Sequence, residues 1–217
     1  SDELRKKGLE AYSLEGGMKA WSLAWNTAHL DFQDQELEII QVRRTGKGCL
    51  SYIISSQGST IILDPSLDIE MYDKLLSDNK LELKYVLETH THADHLSRAR
   101  LLAEKFQAKL ILPFESKVSF PFTPIKDEEI IRLNTISLKA ISTPGHTDDS
   151  TSYLLNGLTL LTGDTLFTDS IGRPDLKSSE EEARIKSGAL YESLQTLLSL
   201  GNEILVLPGH TSRPVEF

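Results

Sequence analysis

The stretch Thr89-His90-Thr91-His92-Ala93-Asp94-His95 decides how this chain is read. In a few residues it offers three imidazoles and a carboxylate, which building a hydrophobic core does not call for. Three other pieces share its character: Pro144-Gly145-His146, Gly163-Asp164-Thr165 and Pro208-Gly209-His210. Together these pieces use five of the six histidines and leave only His29 outside. His90 and His92 stand two apart at the end of an extended segment, so both side chains point to the same side. Asp94 and His95 are expected where that strand turns into a helix, with Asp94 placed to cap it. A glycine precedes each of His146, Asp164 and His210 and lets the backbone turn sharply at a strand end. The economical reading is a metal site built from His90, His92, Asp94, His95, His146, Asp164 and His210, with Asp94 also the candidate catalytic carboxylate. Such nitrogen and oxygen donors suit zinc, iron or manganese.

The bulk numbers bound the rest. A chain of 217 residues accommodates one good-sized α/β domain with a large core. A formal net charge of -9 argues against binding along a nucleic-acid backbone, which needs a basic footprint. One cysteine excludes a disulfide framework and points to a reducing compartment. No run approaches the roughly 20 apolar residues that cross a bilayer, and the opening Ser-Asp-Glu-Leu-Arg-Lys-Lys lacks an apolar leader. The expectation is a cytoplasmic protein with no membrane or nucleic-acid partner. The chain opens inside what reads as a helix and without a methionine, as a fragment would.

Residues 1–30 differ in character from the rest of the chain. Leu4 to Gly8 reads as the end of a helix, Ala11 to Leu14 as a short strand, and Gly16-Gly17 as the entry to a helix carrying Met18, Trp21, Leu23 and Trp25. Trp21 and Trp25 are four apart and are expected on one helix face. After a polar joint at residues 31–35, strands are predicted at Leu37 to Val42, Leu50 to Ile54 and Thr60 to Leu63. A helix at Ile69 to Leu76 and a strand at Leu83 to Leu87 lead to the histidine motif. The next helix is expected from Asp94 to Phe106, burying Leu96, Ala99, Ala103 and Phe106. Strands recur at Leu110 to Leu112, Ile130 to Leu133, Ile136 to Ile141, Ser152 to Leu155 and Leu158 to Leu161. Ser179 and Glu182 form a capping box for the last long helix, which packs through Leu190, Leu194 and Leu197 and stops at Gly201. Ile204 to Leu207 closes the chain's strands. The metal motifs fall where strands end, which suits a layered α/β sandwich with its site along one edge.

His90-x-His92-x-Asp94-His95, then His146, Asp164 and His210, resembles the metallo-β-lactamase superfold in order and spacing over residues 35–217, with the final segment of that fold expected to be missing. The resemblance implies an αββα sandwich of two mixed β-sheets flanked by helices. Within the superfold, Gly163-Asp164-Thr165-Leu166-Phe167 followed by Gly172-Arg173-Pro174-Asp175 resembles the persulfide dioxygenases, and the ligands also resemble those of glyoxalase II. Leu14-Glu15-Gly16-Gly17-Met18-Lys19-Ala20-Trp21 resembles the closing segment of a rhodanese domain, so residues 1–30 read as the remnant of such a domain and its linker. The reactive rhodanese loop is absent, and Cys49 reads as a packed small residue.

The dioxygenase resemblance implies one Fe(II) per chain on His90, His146 and Asp164, oxidising glutathione persulfide or another low-molecular-weight persulfide to sulfite. Arg173, Asp175 and Tyr191 are then candidate substrate residues, with a structural Arg173–Asp175 pair and a core role for Tyr191 as the alternatives. The glyoxalase II resemblance implies a hydrolase of glutathione thioesters with one or two Zn(II): His90, His92 and His146 on one, Asp94, His95 and His210 on the other, and Asp164 between. A binding module on an inactive fold is the third option, and it would be expected to have lost ligands. The expected partners are a small thiol or persulfide and a fused rhodanese domain in a longer protein. The assembly is left open, a homodimer included.

Overall fold

In a computed structural model of the chain, residues 1–30, 36–175 and 178–211 are described. The polar joint and the last residues, Val215 to Phe217 among them, lie outside these. Two short helices, α1 (Asp2–Lys6) and α2 (Gly17–Leu23), precede β1 (Asn26–Leu30), β2 (Glu38–Arg44), β3 (Cys49–Ser56) and β4 (Ser59–Leu63). Then come α3 (Ile69–Asp78), β5 (Glu82–Leu87), α4 (Ala99–Phe106), β6 (Lys109–Pro113) and β7 (Thr123–Ile125). The second half holds β8 (Ile130–Leu133), β9 (Ile136–Ser142), β10 (Thr151–Leu155), β11 (Thr159–Gly163), α5 (Glu180–Leu198) and β12 (Leu205–Pro208).

One seven-stranded sheet runs β1-β2-β3-β4-β5-β6-β7 and one five-stranded sheet runs β12-β11-β10-β9-β8. Both are mixed: β1 to β4 are antiparallel and β4 to β7 parallel, and β12 adds parallel to an otherwise antiparallel sheet. Period-two alternation sorts the residues. Leu50, Tyr52 and Ile54 of β3 and Ile61 and Leu63 of β4 face the layer between the sheets, where they meet Leu138, Tyr153 and Leu161. Ile53 and Ile62 face the other way, onto Tyr72, Leu76 and Leu102 of α3 and α4. Leu197 of α5 covers Ile141 and Leu160 on the outer face of the second sheet. Central strands buried on both faces read as continuous apolar runs. The result is an αββα sandwich.

Two buried tyrosines tie the sheets together beside the metal motifs. Tyr52 of the first sheet donates to the Pro208 carbonyl (2.7 Å), next to Gly209-His210. Tyr153 of the second donates to the Glu88 carbonyl (2.9 Å), next to Thr89-His90. Each bond contributes about 1 kcal/mol net, and more is lost if one partner is left buried and unpaired.

Several local expectations are corrected. Residues 11–14 form no strand. Helix α2 ends at Leu23, so Trp25 is not on it: Trp21 stays 40% exposed while Trp25 packs against the α3–α4 core. Strand β1 escapes the pattern because Asn26-Thr27-Ala28-His29-Leu30 is an edge strand with no fully buried residue, yet it pairs along β2, so the N-terminal piece joins the main sheet before residue 30. β7 is three residues with a proline, tolerated at an edge. Helix α4 begins at Ala99 rather than Asp94, and its N-cap is Arg98. The side chains of Asp94 and His95 are held by the site, and Ser97 Oγ takes the Ala99 amide (3.0 Å), so the intervening backbone stays a loop and Leu96 is 72% exposed. The capping box at Ser179 and Glu182 is present.

Candidate metal centre

The histidine loop leaves β5 and is pinned from beneath by Asp64, which follows β4. Asp64 Oδ1 accepts the Thr89 amide (2.7 Å) and Oδ2 accepts the Thr89 hydroxyl (2.8 Å). That hydroxyl has one proton, and an ionised carboxylate can only accept. The Thr89 oxygen must therefore accept from His90 Nδ1, 2.9 Å away. His90 is left with its lone pair on Nε2, which is buried and has no hydrogen-bond partner. Burial, reinforced by the charge of His92, lowers the His90 pKa to about 3, so the ring is neutral.

His146 is aimed by a different route. Its Nδ1 lies 3.1 Å from the Arg173 carbonyl, which only accepts, so Nδ1 carries a proton and Nε2 is the nitrogen left to face an ion. His90 Nε2 is 3.9 Å and His146 Nε2 3.7 Å from Asp164 Oδ2. Two imidazole nitrogens and a carboxylate oxygen thus face one another, and the one on His90 is an unprotonated lone pair. Donor atoms of His90, His146 and Asp164 all lie within 4.8 Å of one another. The residues fit a divalent ion here, since a cation satisfies all three at once and nothing else among the described groups does.

His92 is turned elsewhere. Its Nε2 contacts Glu88 Oε2 (2.7 Å) and Asp64 Oδ1 (3.2 Å), and these three residues form their own cluster. Burial works against the His92 cation, but the charges of Glu88 and Asp64 outweigh it and raise the pKa well above the usual histidine value. Burial pushes Glu88 up to about 7 against the pull of His92. His92 Nδ1 has no partner.

A third cluster gathers Cys49, Asp94, His95 and His210 within the same 4.8 Å limit. His210 Nε2 is 3.0 Å from Asp94 Oδ2, and its Nδ1 is 2.7 Å from Asp164 Oδ1. Both partners are carboxylates, so both ring nitrogens carry protons. Burial opposes this charge, but the hydrogen bonds to Asp164 and Asp94 raise the His210 pKa to about 12. His95 Nδ1 faces Asp94 (3.1 Å) and its Nε2 is buried without a partner. Cys49 is buried, as a packed residue would be, yet its Sγ lies 3.8 Å from Asp94 Oδ2. Burial raises the thiol, but hydrogen bonds with His210 and His95 outweigh it and bring it down to about 7.

The side chains of the candidate substrate residues belong to none of the three clusters. Arg173 and Asp175 form a two-pronged pair, Nε to Oδ1 and an amino group to Oδ2, both at 3.0 Å and exposed. Tyr191 is 59% exposed on α5, which excludes a core role, and the packing there is done by its neighbour Leu190. A Cβ on Gly145 would sit 2.4 Å from Leu190 Cβ, so only glycine lets the His146 loop press against α5. Gly163 has φ +50 and a Cβ there would sit 2.4 Å from Thr89 Oγ1, the atom that orients His90.

Sequence reasoning passed over the residues that aim the ligands. Asp64 carries a signal, an Asp-Pro pair at the end of a strand, and it adopts φ +51. Asp149 Oδ2 accepts from the Thr91 amide (3.0 Å), the Thr91 hydroxyl (2.6 Å) and Ser116 (2.7 Å), gripping the histidine loop from its other side. Its only signal is its place three residues after His146. Glu88 reads as one more strand-end residue, and nothing local marks it as buried.

Residues 44–210 match the sequence profile of the metallo-beta-lactamase superfamily. The hydroxyacylglutathione hydrolase of Francisella tularensis subsp. novicida (strain U112) is 31% identical over 161 residues, covering 73% of this chain and 61% of that protein. The chain therefore spans about three fifths of the length of the curated relatives it matches. A metallo-beta-lactamase from Staphylococcus aureus subsp. aureus COL superposes with a TM-score of 0.75 at 28% identity, over 83% of this chain and 57% of that one. ETHE1 from Myxococcus xanthus superposes with a TM-score of 0.70 at 29% identity, over 88% of this chain and 79% of that one. Fold, ligand geometry and sequence agree: the chain belongs to the metallo-beta-lactamase superfamily.

Proposed function

We propose that this chain is the catalytic domain of a persulfide dioxygenase, with one Fe(II) held by His90, His146 and Asp164. The observation that supports this reading most is the proton inventory. At His90 and His146 the second ring nitrogen is committed as a donor, so both Nε2 atoms are the ones turned toward an ion beside Asp164. At His210 both nitrogens face carboxylates and hold protons, and His92 is directed toward Glu88 and Asp64. Two imidazoles and one carboxylate make a facial triad, the donor set of non-haem iron oxygenases. Iron held by these three residues would supply the redox chemistry that joins dioxygen to the substrate sulfur. The protein's own part is orientation: Thr89 and the Arg173 carbonyl fix the imidazoles, and His210 takes one Asp164 oxygen so that the other faces the ion. The reaction consumes a persulfide, dioxygen and water and releases the thiol, sulfite and two protons. The sulfane sulfur gives its electrons to dioxygen, so no further reductant is needed. A rhodanese-like domain, whose closing segment residues 14–21 resemble, would be a fitting source of sulfane sulfur.

The second reading is a binuclear zinc hydrolase of glutathione thioesters. It is supported by the complete Asp94, His95 and His210 set and by the name of the hydrolase relatives. Zinc would lower the pKa of its water to about 7. Oxygen uptake by iron-loaded protein with fresh glutathione persulfide, with sulfite assayed alongside, decides between them. Uptake matched by sulfite and lost in His90→Ala supports the dioxygenase. No uptake by iron-replete protein, together with thioester cleavage by the zinc form, overturns it.

A further inference from the structure

We infer that a cavity beside the Asp94–His95 end of the centre binds a carboxylate of the substrate's thiol carrier. This rests on the thiol-carrier reading above, whichever of the two reactions takes place. The cavity holds about 460 Å³, within the usual range for small-molecule sites, and shares Asp94 and His95 with the third cluster. Arg44, Lys47 and Arg98 all line it. They come from the end of β2, the β2–β3 turn and the N-cap of α4, three separate elements brought to one place. In a chain of net charge -9 such a gathering of cations runs against the composition.

These cations are incompletely neutralised. Arg98 gives one amino group to Asp68 (2.7 Å), which also lines the cavity, and its Nε has no partner. Arg44 places its Nε on the Ser22 carbonyl (3.0 Å) rather than on a carboxylate. Lys47 forms no ion pair with a described residue. Ser66, buried in the same wall, has a hydroxyl with no partner. Asp94 is the cavity's other acid, and its Oδ2 is already engaged by His210. By contrast, the fork of Arg173, the basic residue the sequence singles out, is filled on both prongs by Asp175. Leu23, Trp25 and Met71 give the cavity an apolar side. A carrier with a carboxylate beside uncharged backbone, such as a small acidic peptide thiol, matches this lining. Guanidinium groups favour a carboxylate because two of their donors can meet its two oxygens.

Binding of S-methylglutathione, an unreactive thioether, to the metal-loaded full chain tests this without turnover. Trp25 lies in the wall, so fluorescence of a Trp21→Phe background reports occupancy. Saturable, salt-weakened binding is expected, with affinity falling about five- to tenfold in Lys47→Gln and again in Arg44→Gln. N-acetyl-S-methylcysteamine, which has no carboxylate, should bind weakly and equally to all forms. In turnover the same variants should raise KM for the persulfide and leave kcat unchanged. S-methylglutathione affinity that is the same in wild type and in the double variant overturns the inference, as does no binding at all. Tight S-methyl-coenzyme A binding that alone depends on Lys47 assigns the cavity to phosphate and overturns the carboxylate. Failure of oxygen uptake with S-methylglutathione binding intact would instead fall on the proposed reaction.

Discussion

Replacing Thr89 by valine removes one oxygen and should cost the centre much of its affinity for metal. Valine keeps the shape of threonine and the backbone bond from residue 89 to Asp64 Oδ1 (2.7 Å). What disappears is the link from Asp64 Oδ2 (2.8 Å) through the hydroxyl to His90 Nδ1 (2.9 Å). His90 has a side chain only 1% exposed, so water cannot replace the lost acceptor. Without it nothing fixes the proton on Nδ1, and the tautomer that presents Nε2 to the ion is no longer enforced. Loss of a partner that orients a metal-binding histidine typically lowers affinity about 10- to 100-fold, or about 1.4–2.7 kcal/mol. Leaving the Nδ1 proton unpaired costs the metal-free fold a further ~1–3 kcal/mol. Metal affinity by competition with a chelator and metal-free stability by urea unfolding read the two effects separately. Thr89→Ser, which keeps the hydroxyl, should retain wild-type affinity. If Thr89→Val binds metal as tightly as Thr89→Ser, the hydroxyl does not set the His90 tautomer and the proton inventory behind the proposed function is wrong.

Gly163→Ala forces a Cβ to within 2.4 Å of that same Thr89 oxygen at φ +50, and should destabilise the fold by about 3 kcal/mol in urea unfolding; a wild-type midpoint would show that the loop yields freely. Tyr153→Phe should cost about 1–2 kcal/mol, because the buried Glu88 carbonyl loses its donor, with metal binding weakened alongside. Metal-free protein should show a pH dependence from His210: its pKa is raised to about 12, so its stabilisation is complete below about pH 6.5 and declines as pH rises from there toward 12, at up to ~1.4 kcal/mol per unit. Metal-free His210→Gln should lack that slope in urea titrations at about pH 7 and pH 9, and an unchanged slope would place the proton elsewhere. Filling the third cluster with zinc should slow alkylation of Cys49 by about tenfold or more, because a bound thiolate is no longer the free nucleophile; equal rates with and without metal would separate Cys49 from that cluster.

Much of the fold was legible because burial on both faces writes itself into composition. Strands such as Leu50 to Ile54 and Thr60 to Leu63 are apolar nearly throughout, and α5 announces its start with Ser179 and Glu182. The misses share a cause. β1 and β7 are edge strands that take their structure from a neighbour rather than from their own residues. The loop from Asp94 to Arg98 reads as helix because local propensity favours one, and tertiary demands at Asp94, His95 and Ser97 prevail. Ligand identities were legible for a different reason: a metal site needs rare side chains at fixed strand ends, and five of six histidines lie there. The orienting residues were not, because Asp64, Glu88 and Asp149 are ordinary acids until the fold buries them under the histidine loop.

The choice between one metal and two comes down to His210. It bridges the two clusters, with Nδ1 on Asp164 (2.7 Å) and Nε2 on Asp94 (3.0 Å). With both protons in place it is a cationic clamp: it neutralises two carboxylates and orients Asp164 toward His90 and His146. To serve as a ligand its Nε2 must first release the proton that Asp94 holds. A metal in the third cluster therefore competes with a proton, whereas one beside Asp164 meets at His90 a lone pair already free. The ligand list is common to both readings, so it cannot separate them. The hydrogen bonds behind the ligands can, and they give the first site the advantage at any pH where His210 keeps its charge. Raising pH should narrow that advantage, so a second equivalent of zinc should bind more tightly with rising pH by up to tenfold per unit while the first changes less. Two equivalents with the same pH dependence would mean that His210 releases its proton as readily as His90 offers its lone pair.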